Sequence, residues 1–137
     1  RHQPHVDATA NNGATALLLA VSRQNLEILS ALLNAGANPS AVSASGYSAL
    51  WVAALNGYAE TAQALLEAGA AVDFQETRTG ATALIAAAQN GHVAVVTLLL
   101  QAGADVGLRA KGGAMALLVA ASAEIEGLLL EYGHLQE

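Results

Sequence analysis

Residues 80–105 read GATALIAAAQNGHVAVVTLLLQAGAD, and this stretch decides the fold. It opens on Gly80, Thr82 and Leu84 in the spacing Gly-x-Thr-x-Leu. An alanine-rich segment then leads to Asn90-Gly91-His92, and the apolar run Val95 to Leu100 ends at Ala102-Gly103-Ala104. The same frame returns at Gly13 (GATALLLAV), Gly46 (GYSALWVAA) and Gly113 (GAMALLVAA), so the opening glycines lie 33, 34 and 33 residues apart. The closing glycines Gly36, Gly69 and Gly103 repeat the spacing as 33 and 34. A period of that length carrying two short helices is the signature of a stacked repeat array.

These units resemble ankyrin repeats, whose usual pattern is Gly-x-Thr-Pro-Leu-His-x-Ala-Ala, then Gly-His, then Leu-Leu-Leu-x-x-Gly-Ala. The likeness runs over roughly residues 10 to 133 in four registered copies. Two family residues are missing from every copy. Where the pattern has Thr-Pro-Leu-His, this chain reads Thr15-Ala16-Leu17-Leu18, Ser48-Ala49-Leu50-Trp51, Thr82-Ala83-Leu84-Ile85 and Met115-Ala116-Leu117-Leu118. In the family that His bridges neighbouring repeats by hydrogen bonds, so the bridging here is expected to be weaker or made differently. The resemblance implies an all-α ankyrin-repeat solenoid of four stacked turn-helix-turn-helix units.

Composition agrees with such a stack. The chain is 54% hydrophobic but only 4% aromatic, and about a quarter of it is alanine, the best helix former and small enough for close packing. Its apolar runs are broken by Gly, Asn and Gln well short of the roughly 20 residues of a membrane span, so no membrane insertion is expected. The absence of cysteine removes thiol catalysis, thiolate metal sites and disulfides together, without fixing the compartment. Five Lys and Arg against eleven Asp and Glu give a net charge of −6, which disfavours binding to nucleic-acid phosphates. The chain opens on Arg1 rather than Met, as a processed or excised piece would, so nothing is inferred about a signal peptide.

In order along the chain, residues 1–9 form a polar lead-in to a single repeat domain, with units at about 10–41, 42–74, 75–108 and 109–137. His2 and His5, with Asp7 nearby, could ligate a metal only on a helix, which Pro4 between them opposes. No further ligand completes a shell, so no metal site is assigned. In the first unit, helices are expected near Ala16–Ser22, capped by Thr15, and Leu26–Ala35, ended by a left-handed Gly36. Terminal units of arrays normally turn a polar face outward, yet Leu17, Leu18, Leu19, Val21 and Ile28 give this one the look of an interior unit. Further repeats before residue 1, residues 1–12, or a second copy are therefore expected to cover it.

In the second unit Ser48 takes the cap position, with helices near Ala49–Leu55 and Ala59–Ala68. In the third they fall near Ala83–Gln89 and Val93–Gln101, and its turn Gln75-Glu76-Thr77-Arg78-Thr79 holds the residue that lengthens the spacing to 34. The fourth unit is shortened as a C-terminal cap. It loses three residues around Ser122 to Gly127 relative to the third, replaces the capping Thr with Met115, and carries Glu124, Glu126, Glu131 and Glu137.

Catalysis needs convergent nucleophiles, acids or bases, and the four histidines His2, His5, His92 and His134 are scattered. His92 falls in the family's Gly-His turn, where a bond to loop backbone is expected. Lys111-Gly112-Gly113 lacks the spacing of a phosphate loop. No catalytic residue, cofactor or enzymatic activity is assigned.

The charges say more. On the family's architecture Arg78, Arg109 and Lys111 lie in projecting finger turns, and Arg23 at the end of the first helix on the concave side. Glu27, Glu60 and Glu67 fall on the second helices, along the convex back. Two readings stand: a basic edge that receives an acidic peptide or protein surface, or a patch neutralised by Asp73, Glu76 and Asp105 in surface pairs that contribute only about 0–1 kcal/mol. Tyr47 follows an opening glycine at a finger position, with Trp51 and Leu55 one and two turns on. Tyr, Trp and Arg are enriched among residues that carry binding energy. Trp51 also occupies the bridging-His slot, where it would fill the groove between units, and Tyr58 and Tyr132 read as packing residues at helix ends.

The resemblance thus implies a non-enzymatic module that binds a partner protein or peptide through its fingers and concave helix-one surface. The expected centre is Tyr47, Trp51, Leu55, Asn56, Gln89 and Asn90, with Arg23, Arg78, Arg109 and Lys111 around it. Two alternatives stay open: a targeting or regulatory arm of a larger enzyme, and a piece that self-associates through its N-terminal unit. Nucleic acid is not an expected partner.

Overall fold

A computed structural model describes residues 14–136. The metal pairing considered for His2, His5 and Asp7 lies outside those residues. Within them the fold is all helical, and the only ladder contact is an isolated antiparallel bridge between Val42 and Ser48. The eight helices come in pairs: α1 (Ala14–Ser22) with α2 (Leu26–Asn34), α3 (Ala49–Asn56) with α4 (Ala59–Glu67), α5 (Ala83–Gln89) with α6 (Val93–Gln101), and α7 (Ala116–Val119) with α8 (Ala123–Leu135). First helices pack on first helices, second helices on second helices, and each pair on the next, which makes a two-layered solenoid of four units.

Local chemistry sets the boundaries. Ser48 and Thr82 sit in extended backbone just before α3 and α5, and their hydroxyls accept from the amides of Trp51 and Ile85 at 3.1 Å each. Thr15 lies inside α1, so that helix starts before the cap position expected for it. Asn25 caps α2 by accepting from the Ile28 amide at 3.0 Å. Second helices close alike: the amides of Ala37, Ala70 and Ala104 reach back to the carbonyls of Leu32, Leu65 and Leu99 at 3.0 Å, with Gly36, Gly69 and Gly103 at positive φ between.

The fourth unit departs from this scheme. Met115 offers its helix no side-chain bond, α7 is a single turn, and Ser122 caps the longer α8 instead. The connector between these two helices is three residues long, as it is in the third unit. The three lost residues therefore come out of the first helix, four residues against seven, and not out of the turn around Ser122 to Gly127 where the sequence placed the loss.

Packing is tightest in the third unit, which has a neighbour on either side. Every residue of Ala83–Ala88 is buried, as are Val95, Val96, Leu99 and Leu100. Small side chains on α5 bring the adjacent first helices close, and each buried Leu, Ile or Val contributes about 1.5–3 kcal/mol relative to exposure. In the first unit Leu17 and Val21 are buried, whereas Leu19 and Ile28 are about half exposed, at 52% and 50%. The interior-like residues there split between a face that packs onto the second unit and a face that no described unit covers.

The turn within each of the first three helix pairs is fixed by one left-handed residue. Gly57 (φ +76°) and Gly91 (φ +77°) fill this position in the second and third units, and Gln24 (φ +53°) fills it in the first. At Gly57 there is a further constraint: a Cβ would lie 2.4 Å from Nδ1 of His92. The His92 ring spans the two units, with Nε2 at 3.0 Å from the Leu55 carbonyl, a contact in which Nε2 carries the proton. The expected bond of His92 to loop backbone is thus made to the preceding unit. Gly127, in contrast, lies within α8 with nothing near its missing Cβ.

Opposite outcomes follow for two glycine-to-alanine changes. Gly57→Ala adds left-handed strain and pushes His92 off its carbonyl, for a loss of about 1–3 kcal/mol. Gly127→Ala gains about 0.5–1 kcal/mol from helix propensity. Urea unfolding of the two variants beside the parent chain checks both signs.

Candidate partner-binding surface

Three hairpin fingers precede α3, α5 and α7. In the first, the Ser43 amide donates to the Tyr47 carbonyl at 2.8 Å; in the second, Glu76 to Ala81 at 2.9 Å; in the third, Ala110 to Ala114 at 2.7 Å. The second is therefore longer by one residue. Each finger also binds the next through backbone: the Thr77 amide donates to the Gly46 carbonyl at 3.2 Å, and the Lys111 amide to the Thr79 carbonyl at 2.7 Å. The row of fingers behaves as one braced edge.

Three of the sequence-predicted residues meet where the first finger joins α3. The rings of Tyr47 and Trp51 have centroids 5.1 Å apart and planes tilted by 33°. Arg78 reaches from the second finger to donate from Nη1 to the Tyr47 hydroxyl at 3.3 Å. Tyr47 and Trp51 are half-buried and Arg78 is exposed, so part of this aromatic and guanidinium surface faces solvent. Trp51 also bridges the units, its indole Nε1 donating to the Ala81 carbonyl at 3.0 Å. The indole thereby makes the inter-repeat hydrogen bond that the missing His left unassigned. The two roles weighed for Trp51 are compatible, because its polar edge is spent inside the array while its ring supports Tyr47.

The remaining candidates form smaller groups. Asn90 Nδ2 donates to the Leu55 carbonyl at 3.0 Å, beside His92, and Asn56 Nδ2 to the Val52 carbonyl of its own helix at 2.9 Å. Leu55, Asn56, Gln89 and Asn90 are all exposed at the ends of α3 and α5. Arg23 is also exposed, but it lines a groove with Leu19 and Ile28 on the open side of the first unit. Tyr58 and Tyr132 are half-buried and pack against the core.

The other finger cations are tied down. Lys111 Nζ donates to the Thr77 carbonyl at 2.7 Å, and Arg109 Nη1 to the Gly113 carbonyl at 2.9 Å. Each satisfies a finger carbonyl while keeping its charge at the exposed edge. Gln75, which sequence reasoning passed over, clamps the same region by donating to the carbonyls of Gly80 and Arg109 at 3.0 and 2.9 Å.

The acids considered as neutralising partners are engaged by backbone amides. Asp73 accepts from the Asp105 amide and Asp105 from the Gly107 amide, both at 2.9 Å. Glu76 is buried beneath the second finger, where it accepts from the Arg78 amide at 3.0 Å and from the amide and hydroxyl of Thr79. It acts as the turn's internal brace. Its sequence signal was slight: a Glu three residues before a Thr, in the one finger with an extra residue.

Among the described residues no group of three or more His, Cys, Asp or Glu side chains could hold a metal, and no helix is long and apolar enough to cross a membrane.

Burial raises the pKa of Glu76, but the Thr79 hydroxyl, the amides of Thr79 and Arg78, and the Arg78 charge together outweigh it. They hold the carboxyl below its ordinary value of 4.5. A depressed folded-state pKa contributes stability that is present above the unfolded value and lost as pH falls through the folded one. Glu76→Gln should therefore be less stable than the parent near neutral pH, with the difference shrinking as the pH falls below 4.5. Urea unfolding over that window checks this, and a pH-independent difference would contradict it.

A family model described as ankyrin repeats, in three copies, matches residues 2–76, and a second, for one ankyrin repeat, matches residues 79–111. No curated protein matches the chain. The family matches take in the first finger, the second finger apart from residues 77–78, and the first three helix pairs, and the last helix pair continues the same stack beyond them. The chain belongs to the ankyrin-repeat family.

Proposed function

We propose that this chain binds an acidic segment of a partner protein across its first two fingers, with Tyr47, Trp51 and Arg78 at the centre and Lys111 and Arg109 alongside. Ankyrin repeats are generally protein–protein interaction modules and are typically non-enzymatic; the acidic partner and the residues that hold it are the further step. The observation that carries it is the Tyr47–Trp51 pair with the Arg78 guanidinium on the Tyr47 hydroxyl. The side chains of this surface are held in place before any partner arrives, which lowers the entropy lost on binding.

Charge supports the same choice of partner. Three cations gather on the finger edge of a chain whose net charge is −6. Of the nearby acids, Glu76 is turned inward, where it takes up part of the Arg78 charge, and Asp73 and Asp105 have their carboxylates on backbone amides rather than on the finger cations. An acidic segment is attracted to that edge, and unlike-charged partners associate faster when potentials are complementary. Leu55 extends the surface along the helix ends with an apolar side chain, and Asn56, Gln89 and Asn90 extend it with amides.

Affinity capture with the parent chain, Tyr47→Ala and Arg78→Glu as baits tests this. Trp51 and Lys111 are left intact because both hold neighbouring units together. A partner retained by the parent and weakened about tenfold or more by either change fits an aromatic and arginine hot spot, and added salt should weaken it further. A partner held equally by all three baits contradicts the assignment.

A further inference from the structure

We propose that a second copy of this chain stacks head to tail on the first, the open face of its fourth unit seated on the open face of the first unit. The inference stands apart from the finger surface and rests on the register of the internal joints. The position of Ile28 recurs as Thr61, Val95 and Ile125 in the later units, and all three are buried, at 3%, 0% and 0% exposure. Only in the first unit, with no described unit before it, does this position stand open, at 50%. Leu19 beside it is 52% exposed and lines the same apolar groove, together with Ala16, Leu32 and Arg23.

The far end shows the converse. Leu118 and Leu130 hold the positions that Ile85 and Leu100 hold in the third unit, where both are buried at 3%. In the fourth unit they are 67% and 55% exposed. One end of the array therefore presents the side chains that meet a preceding unit, and the other end presents those that meet a following one. These are the two halves of a joint the chain already makes three times.

Charge favours the same seating. Arg23 lines the groove with Ile28, and Glu126 lies one turn from Leu130 on α8, on the same helix side. Two first-unit faces brought together would match neither register nor charge. Head-to-tail contacts of this kind leave one free end of each type, so association continues into short chains rather than closing at a dimer.

Sedimentation velocity on the 137-residue chain tests this over a range from about 1 µM to about 1 mM, which spans weak to moderate affinities. The variants are Ile28→Glu and Leu130→Glu, both at exposed positions, with circular dichroism confirming that each is folded. The parent should pass from monomer to a series of larger species as concentration rises, and each variant alone should remain monomeric. An equimolar mixture of the two should form a dimer and stop there, because each copy keeps one intact end and the intact ends are opposite. A parent chain that stays monomeric throughout, or a mixture that fails to dimerise, would overturn the proposal. So would association lost in Ile28→Glu but kept in Leu130→Glu, which is the pattern of two first-unit faces meeting.

Discussion

Each unit of this chain folds one apolar face that it cannot cover itself, and the next unit is what covers it. The pair α5 and α6 shows the consequence. Flanked on both sides, it buries every residue from Ala83 to Ala88 together with Val95, Val96, Leu99 and Leu100. A pair of helices under ten residues each has too little propensity to persist alone in water, so stability resides in the joints between units. The abundance of alanine follows from that geometry, since larger side chains on α5 would hold its neighbours apart.

Two kinds of joint run side by side along the array. Between helices the contact is apolar and close. Between fingers it is polar: amide to carbonyl from Thr77 to Gly46 and from Lys111 to Thr79, and side chain to carbonyl from Trp51, Asn90, His92 and Lys111. Carbonyls at the ends of helices and hairpins must find donors, and here most of the donors come from the unit that follows, the Trp51 indole reaching the other way to Ala81. Aromatic and cationic side chains that could contact a partner are thus the same ones that knit the array. This gives the finger edge its rigidity, and it limits which residues can be changed without loosening the fold.

The fold was legible because its determinants are local and repeated. Glycine spacing gave the period, and the Ser, Thr and Gly punctuation gave most helix ends, with α5 and α6 falling where the sequence put them. The first helix began earlier than the capping argument placed it, since Thr15 lies inside it. The site was legible only in outline. Tyr47, Trp51 and Arg78 stand out as residue types, but their meeting depends on backbone about thirty residues apart in sequence and adjacent in space. Glu76 was weighed only as a possible surface neutraliser beside the finger cations, since a repeat-based reading gives no weight to a feature that occurs once. Lys111 and Arg109 were seen as charges, while their bonds to finger carbonyls follow from hairpin geometry that no spacing rule encodes.

The claim that the joints carry the stability is tested most directly by native-state hydrogen exchange resolved along the chain. Opening free energies are expected to be highest in the two inner pairs, α3 with α4 and α5 with α6, which have a neighbour on each side, and to fall toward α1 and α2 at one end and α7 at the other. Equal protection in all four helix pairs, or highest protection in an end pair, would contradict the account, because it would mean that the units hold themselves together without their neighbours.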